Sequence, residues 1–79
     1  MADVLYKSNS CAGCMVVENA LASKPIPELR IMNIDTDPTA RQYFMLTGSR
    51  CVPTAVIDGQ PVTGASLIIN ALRRKYGRP

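Results

Sequence analysis

Histidine and tryptophan are absent from this 79-residue chain, and aromatic residues make up only 5% of it, as three tyrosines and one phenylalanine. Without an imidazole, Ser-His-Asp and Cys-His catalysis, histidine metal sites and histidine pH switches are excluded. No run approaches the ~18 apolar residues of a membrane span. Met1-Ala2-Asp3 lacks the basic and apolar regions of a secretory signal, so the expected compartment is a reducing cytoplasm. The cysteine count, three, is odd and does not suit a fully paired secreted disulfide scaffold. Charged residues are scarce at 19% while hydrophobic residues reach 47%, a balance that argues against disorder. The length allows one domain, residues 1–79, with a small core, since a chain of this size buries only ~60–65% of its unfolded surface.

The net charge of +3 is unevenly spread. Residues 1–48 hold four bases and five acids, whereas residues 49–79 hold five bases and one acid. Arg73, Arg74, Lys75 and Arg78 crowd the C-terminal end. This reads as a solvated basic end on a terminal helix, where cations suit the helix dipole. Nucleic-acid binding needs a broader basic face with aromatic or base-reading residues, and neither is present. No nucleic-acid or membrane partner is therefore expected, and with no oligomer signal the expected state is a monomer.

Residues 2–7 form a short apolar strand pattern, and Ser8-Asn9-Ser10 supply turn and cap residues, with Asn9 or Ser10 as the expected helix N-cap. Residues 11–23 read as a helix with Met15, Val16, Ala20 and Leu21 available to the core, stopped by Pro25 and Pro27. A second strand spans 28–34. Asp37 then caps a helix with Pro38 at its first position, and Ala40, Tyr43, Phe44 and Thr47 share one face before Gly48 ends it. Residues 54–57 and 60–63 flank Asp58-Gly59, a strong hairpin signal. The last helix, 65–76, places Ile68, Ala71, Leu72 and Tyr76 on one face and closes at Gly77. The order β-α-β-α-β-β-α implies an α/β fold. A parallel βαβ unit with a right-handed crossover joins a hairpin to make a mixed four-stranded sheet with helices on its faces.

Cys11-Ala12-Gly13-Cys14 stands where the first strand passes into the first helix. The thiolate is the reactive form of cysteine, and free N–H groups with the positive end of a helix dipole stabilise it. A spacing of three brings the second sulfur within disulfide reach of the first. Ala12 and Gly13 are small enough to leave the motif exposed. Cys11 is the expected nucleophile, and Cys14, one turn deeper, the resolving thiol. Pro53 precedes the third strand in Arg50-Cys51-Val52-Pro53-Thr54, where proline is permitted. By frequency alone its peptide bond is trans, since only ~5–6% of X–Pro bonds are cis.

Over nearly its whole length the chain resembles the thioredoxin superfamily, specifically its small glutaredoxin-like and thioredoxin-like members. The matching pieces are Tyr6 and Ser8 before Cys11-Ala12-Gly13-Cys14, then Asn33-Ile34-Asp35-Thr36-Asp37-Pro38. Val52-Pro53-Thr54, Ile57-Asp58-Gly59 and Gly64 complete them. The resemblance implies the thioredoxin-like three-layer fold and a dithiol–disulfide oxidoreductase acting as an electron carrier. It implies a cis Pro53 beside the two cysteines, and pairing of the Val52 backbone with a bound peptide or glutathione as an added strand. Ser10, Ala12, Gly13, Val52 and Pro53 are thus the expected substrate-binding residues. The chain also departs from both patterns. Ser10 and Ala12-Gly13 stand where thioredoxins carry Trp and Gly-Pro, and Val4-Leu5-Tyr6 lacks their buried acid. Ser8 stands where glutaredoxins usually carry Lys, and Gly64-Ala65-Ser66-Leu67 lacks their acidic residue. An equally good match is to the glutaredoxin-like electron donors of ribonucleotide reductase, which draw on thioredoxin reductase. Disulfide-containing proteins, ribonucleotide reductase among them, are the expected substrates. No bound cofactor is expected, and glutathione or thioredoxin reductase is the electron source.

Cys51, two residues before Pro53, has three readings. It is a small semi-buried inert thiol; or, with Arg50 beside it, a site for glutathionylation or an intermolecular disulfide; or a metal or iron–sulfur ligand shared with Cys11 and Cys14, although three thiolates fall short of the usual four. The last makes a metal-binding module the rival to the oxidoreductase.

Overall fold

The computed structural model of the protein describes residues 2–77. Its elements follow the expected order: β1 (Asp3–Lys7), α1 (Ala12–Ser23), β2 (Leu29–Asn33), α2 (Pro38–Leu46), β3 (Thr54–Ile57), β4 (Gln60–Thr63) and α3 (Ala65–Tyr76). The strands lie in the order β2-β1-β3-β4. β1 runs parallel to β2, pairing Asp3 with Leu29 through Lys7 with Asn33, and antiparallel to β3, pairing Tyr6 with Thr54. The turn between β3 and β4 has positive φ at both central residues, 52° at Asp58 and 79° at Gly59, as a tight hairpin of this twist requires. It sets Ile57 opposite Gln60 and Thr54 opposite Thr63.

Because successive strand residues point to opposite faces, Leu5 and Tyr6 serve different layers. Leu5 enters a core with Val17 and Leu21 of α1, Ile68 and Leu72 of α3, and Ala55 and Ile57 of β3. Tyr6 stacks at a tilt against Phe44 of α2, ring centroids 5.8 Å apart. The molecule is therefore the three-layer arrangement expected of the thioredoxin-like fold. No helix among the described residues is long and apolar enough to cross a membrane.

Helix phases differ in places from the expected ones. α1 buries Cys14, Val17 and Leu21, with Ala20 half-buried, while Met15 and Val16 stay 59% and 53% exposed. Two apolar stripes compete on this helix, and seating Cys14 against Cys11 selects between them. On α2, Ala40 and Phe44 are buried, but Tyr43 lies outward. α3 places Ile68, Leu72, Ala71 and Tyr76 toward the core as expected. The basic end of α3 is not uniformly solvated. Lys75 Nζ donates to Asp3 Oδ2 at 2.6 Å and also reaches Asp58. Asp3, only 3% exposed, also accepts from the Asp58 N–H at 3.1 Å and the Tyr76 hydroxyl. This cluster closes the end of β1 away from the cysteines. Arg78 lies outside the described residues.

Candidate active site

β1 delivers the chain to the cysteines through Ser8-Asn9-Ser10, but neither Asn9 nor Ser10 caps α1. The Asn9 N–H donates to Asp35 Oδ2 at 2.8 Å, and its side-chain oxygen accepts from Asn33 Nδ2 at 2.7 Å, so Asn9 ties the loop to the end of β2. The cap is Cys11 itself, extended at φ −145° and ψ 107°, whose Sγ accepts the Cys14 N–H at 3.1 Å. Serine and asparagine are the better caps on general grounds. The competing bonds to Asn33 and Asp35 take Asn9 out of the capping role, and the helix starts at Ala12, one residue later than expected. A sulfur that accepts a helix N–H at the positive end of the dipole has its anionic form favoured.

Cys11 and Cys14 form a disulfide, with Cα atoms 5.2 Å apart, inside the usual range. Cys11 is half-buried and Cys14 is buried. Cys11 is thus the more accessible residue of the pair and Cys14 the deeper. Lys7, the last residue of β1, is ion-paired with Glu18 of α1 beside this junction.

The loop before β3 meets the cysteines. The Val52-Pro53 bond is cis, as the resemblance implied and against its frequency. The Val52 carbonyl oxygen lies 3.5 Å from Cys11 Sγ, and the Pro53 carbonyl accepts the Gly64 N–H at 3.0 Å. The loop is thereby fastened to the start of α3. Gly13 does more than leave the motif open: a Cβ there would stand 2.9 Å from Pro53 Cδ, so its lack of a side chain lets α1 and the proline loop touch. Of the expected substrate-binding residues, Ser10 and Ala12 are exposed, Gly13 and Val52 are half-buried and Pro53 is buried.

Cys51 is an exposed free thiol, not a semi-buried one. It stands one residue before the Val52 carbonyl that touches Cys11. No group of three or more Cys, Asp or Glu side chains suited to a metal forms among the described residues, so the three cysteines are not gathered into one ligand set. The loop is held from beneath by hydroxyls that motif reading passed over. Thr54 Oγ1 donates to the Cys51 carbonyl at 2.6 Å and lies 2.8 Å from Ser49 Oγ and 3.2 Å from Thr63 Oγ1. The signal was available: a two-residue Asp-Gly turn places Thr54 opposite Thr63, on the face that Tyr6 shares.

The glutaredoxin family model matches residues 4–62. The chain belongs to the glutaredoxin family. With its Cys11–Cys14 pair, this glutaredoxin-family protein is a thiol–disulfide oxidoreductase. Among solved structures it is similar to the thioredoxin-like protein BC3987, 26% identical over 91% of this chain and 96% of that one, with a TM-score of 0.74. The glutaredoxin-like NrdH-redoxin from Escherichia coli, described as having a thioredoxin-like activity profile, is 20% identical. It covers 100% of both chains with a TM-score of 0.74. A buckwheat glutaredoxin in complex with glutathione is 18% identical over 91% of this chain and 67% of that one, at a TM-score of 0.65. At the identities of the last two, the likeness concerns the fold alone. No curated protein matches the sequence.

Proposed function

We propose that the protein is a single-domain dithiol carrier that reduces protein disulfides, ribonucleotide reductase being a candidate substrate, and is reset by a flavoprotein reductase of the thioredoxin-reductase type. The observation that carries this is the placing of half-buried Cys11 as helix N-cap, its Sγ on the Cys14 N–H at 3.1 Å and facing the Val52 carbonyl at 3.5 Å. In the reduced protein the Cys11 thiolate attacks one sulfur of the substrate disulfide. A mixed disulfide forms and the other substrate sulfur leaves as a thiolate. Cys14 then attacks Cys11 Sγ, which releases the second substrate thiolate and leaves the Cys11–Cys14 disulfide. Two electrons and two protons from the reductase restore the dithiol, a cycle suited to a reducing cytoplasm.

The substrate chain docks as an extended strand on the Val52 backbone. Ser10 and Ala12 flank it, while Gly13 and Pro53 set the floor. Cys51 lies at the edge of this surface as an accessory thiol open to glutathionylation. The preference for a reductase over glutathione rests on the first turn of α3, which carries no acidic residue to meet a small cationic amine. One observation favours glutathione instead. A groove of about 400 Å³ beside the loop is lined by Phe44 and Met45 together with Arg41, Arg50 and Asp35, so that two guanidinium groups face one carboxylate and leave a net positive charge for a ligand carboxylate.

The test offers the oxidised protein NADPH with thioredoxin reductase, and separately glutathione with glutathione reductase. Rapid reduction in the first arm alone is expected, and reduction in the second alone reverses the assignment. Cys11→Ser keeps an N-cap acceptor, so it should stay folded while losing all disulfide reductase activity. Cys14→Ser should accumulate mixed disulfides. Full turnover by folded Cys11→Ser would sink the proposal.

A further inference from the structure

We propose that Thr54, with Ser49 and Thr63, is a positioning device that aims the Val52 N–H at an incoming substrate strand. This rests on the docking role given above to the Val52 backbone. Thr54 is fully buried, yet its hydroxyl has partners on every side. Each hydroxyl owns one proton. The shortest contact assigns that of Thr54 to the Cys51 carbonyl at 2.6 Å. Ser49 Oγ stands 2.8 Å from Thr54 Oγ1 and 3.2 Å from the Cys51 carbonyl, so its proton points between these two acceptors, and Thr63, 3.1 Å from Ser49, donates to Ser49. The hydroxyls of Thr63, Ser49 and Thr54 thus converge on the Cys51 carbonyl, with Thr54 the shorter and Ser49 the longer of its two hydroxyl donors, an arrangement in which neighbouring bonds polarise one another.

Its root extends into α2. Thr47 Oγ1 donates to the Phe44 carbonyl at 2.6 Å and accepts the Ser49 N–H at 3.2 Å. The chain ends on a peptide group whose geometry matters. The carbonyl of Cys51 and the N–H of Val52 share one rigid plane and point in opposite directions. Pinning the Cys51 oxygen from inside the protein turns the Val52 N–H away from it, toward the side where a strand would pair. Thr54 touches neither the reacting sulfurs nor the substrate; it acts through that peptide plane.

The test measures reduction of insulin with dithiothreitol as the electron source, and the single-turnover reaction of the pre-reduced protein, freed of dithiothreitol, with the small disulfide dithiobis(nitrobenzoate), so that the reset partner plays no part. Thr54→Val should raise KM for insulin about fivefold, the loss of one oriented hydrogen bond, with kcat unchanged. The small disulfide, which forms no strand, should react at the wild-type rate. Thr54→Ser should restore the insulin KM. Ser49→Ala, at a half-buried position, should move it in the same direction as Thr54→Val and keeps the test open if that variant fails to fold. An unchanged insulin KM in the folded variants, or an equal loss on both substrates, overturns the proposal while leaving the dithiol mechanism in place. A wild type inert toward insulin removes the docking role itself and this device with it.

Discussion

A methyl group on Gly13 would meet the pyrrolidine ring of Pro53 at 2.9 Å, well inside the 3.5–4.0 Å of a relaxed carbon–carbon contact. A proline ring cannot swing aside as a long side chain can, so the start of α1 and the loop would have to part. Gly13→Ala should therefore cost about 1–3 kcal/mol in urea unfolding. It should also slow insulin reduction while leaving the number of titratable thiols unchanged. Full activity in a destabilised Gly13→Ala would show that the sulfurs do not need this close approach. The Gly13 contact was not legible in the sequence, because it joins residues forty positions apart. The two sulfurs were legible, because their spacing and their place before a helix are local facts. Cys14 was also expected to be the deeper of the two, since it stands one turn further along the helix, and it is buried. The capping role of Cys11 was not, because it depends on Asn9 being held by Asn33 and Asp35.

The helices differ in how far their caps can be separated from function. α2 begins at Asp37, whose Oδ1 accepts the Thr39 N–H at 2.9 Å and the Ala40 N–H at 3.3 Å. Asp37→Ala should lower stability by about 1 kcal/mol and shift the urea midpoint, with activity per folded molecule unchanged. Lost activity without lost stability would tie this helix start to the site. In α1 the cap and the nucleophile are one atom, so only a substitution that keeps an acceptor there, such as Cys11→Ser, separates the two. α3 begins with no side-chain cap. Gly64, at φ 98°, instead donates its N–H to the Pro53 carbonyl at 3.0 Å, and a left-handed backbone there is one that glycine readily adopts. The helix start and the proline loop are thus one structural unit. The elements themselves were legible from Asp37-Pro38, Asp58-Gly59 and Gly77, each of which acts within a few residues of itself. The outward turn of Met15, Val16 and Tyr43 was not, because an apolar residue has no local preference between two apolar stripes.

Across the whole molecule, the two ends of the sheet have separate tasks. The cysteines and the proline loop occupy one end, and Asp3 with Lys75, Tyr76 and Asp58 locks the other. Burial by itself raises the Asp3 pKa, but bonds from Lys75, Tyr76 and the Asp58 N–H outweigh it and hold the carboxyl below its ordinary 3.8. Its contribution to stability is therefore present above that value and lost as pH falls through the folded one. Lys75 is raised above its ordinary 10.5, first by its bond to Asp3 and then by that to Asp58. Burial, and then the bond to Asp3, raise Tyr76 above 10.0. Their contributions are full at neutral pH and disappear as pH rises through the folded values. For these groups the unfolding free energy should be level between about pH 5 and 9 and fall on both sides. Asp3→Asn should lower the plateau by about 2 kcal/mol and flatten the acid limb, as read by urea unfolding at a series of pH values. An acid limb as steep as that of the wild type would place the acid sensitivity elsewhere.

The sequence alone determined the order of the elements, the three-layer fold and the identity of the two reactive cysteines. Hydrophobic period, turn residues and helix-end chemistry all act over a few neighbouring positions, and each leaves its mark where it acts. Only the tertiary structure decided that Cys11 caps its own helix, that Gly13 touches Pro53 and that Cys51 stays outside the cysteine pair. It alone joined Asp3 to Lys75 and Tyr76, and Thr54 to Ser49 and Thr63. Each of these depends on which distant backbone comes within bonding reach, and that is settled only when the layers pack.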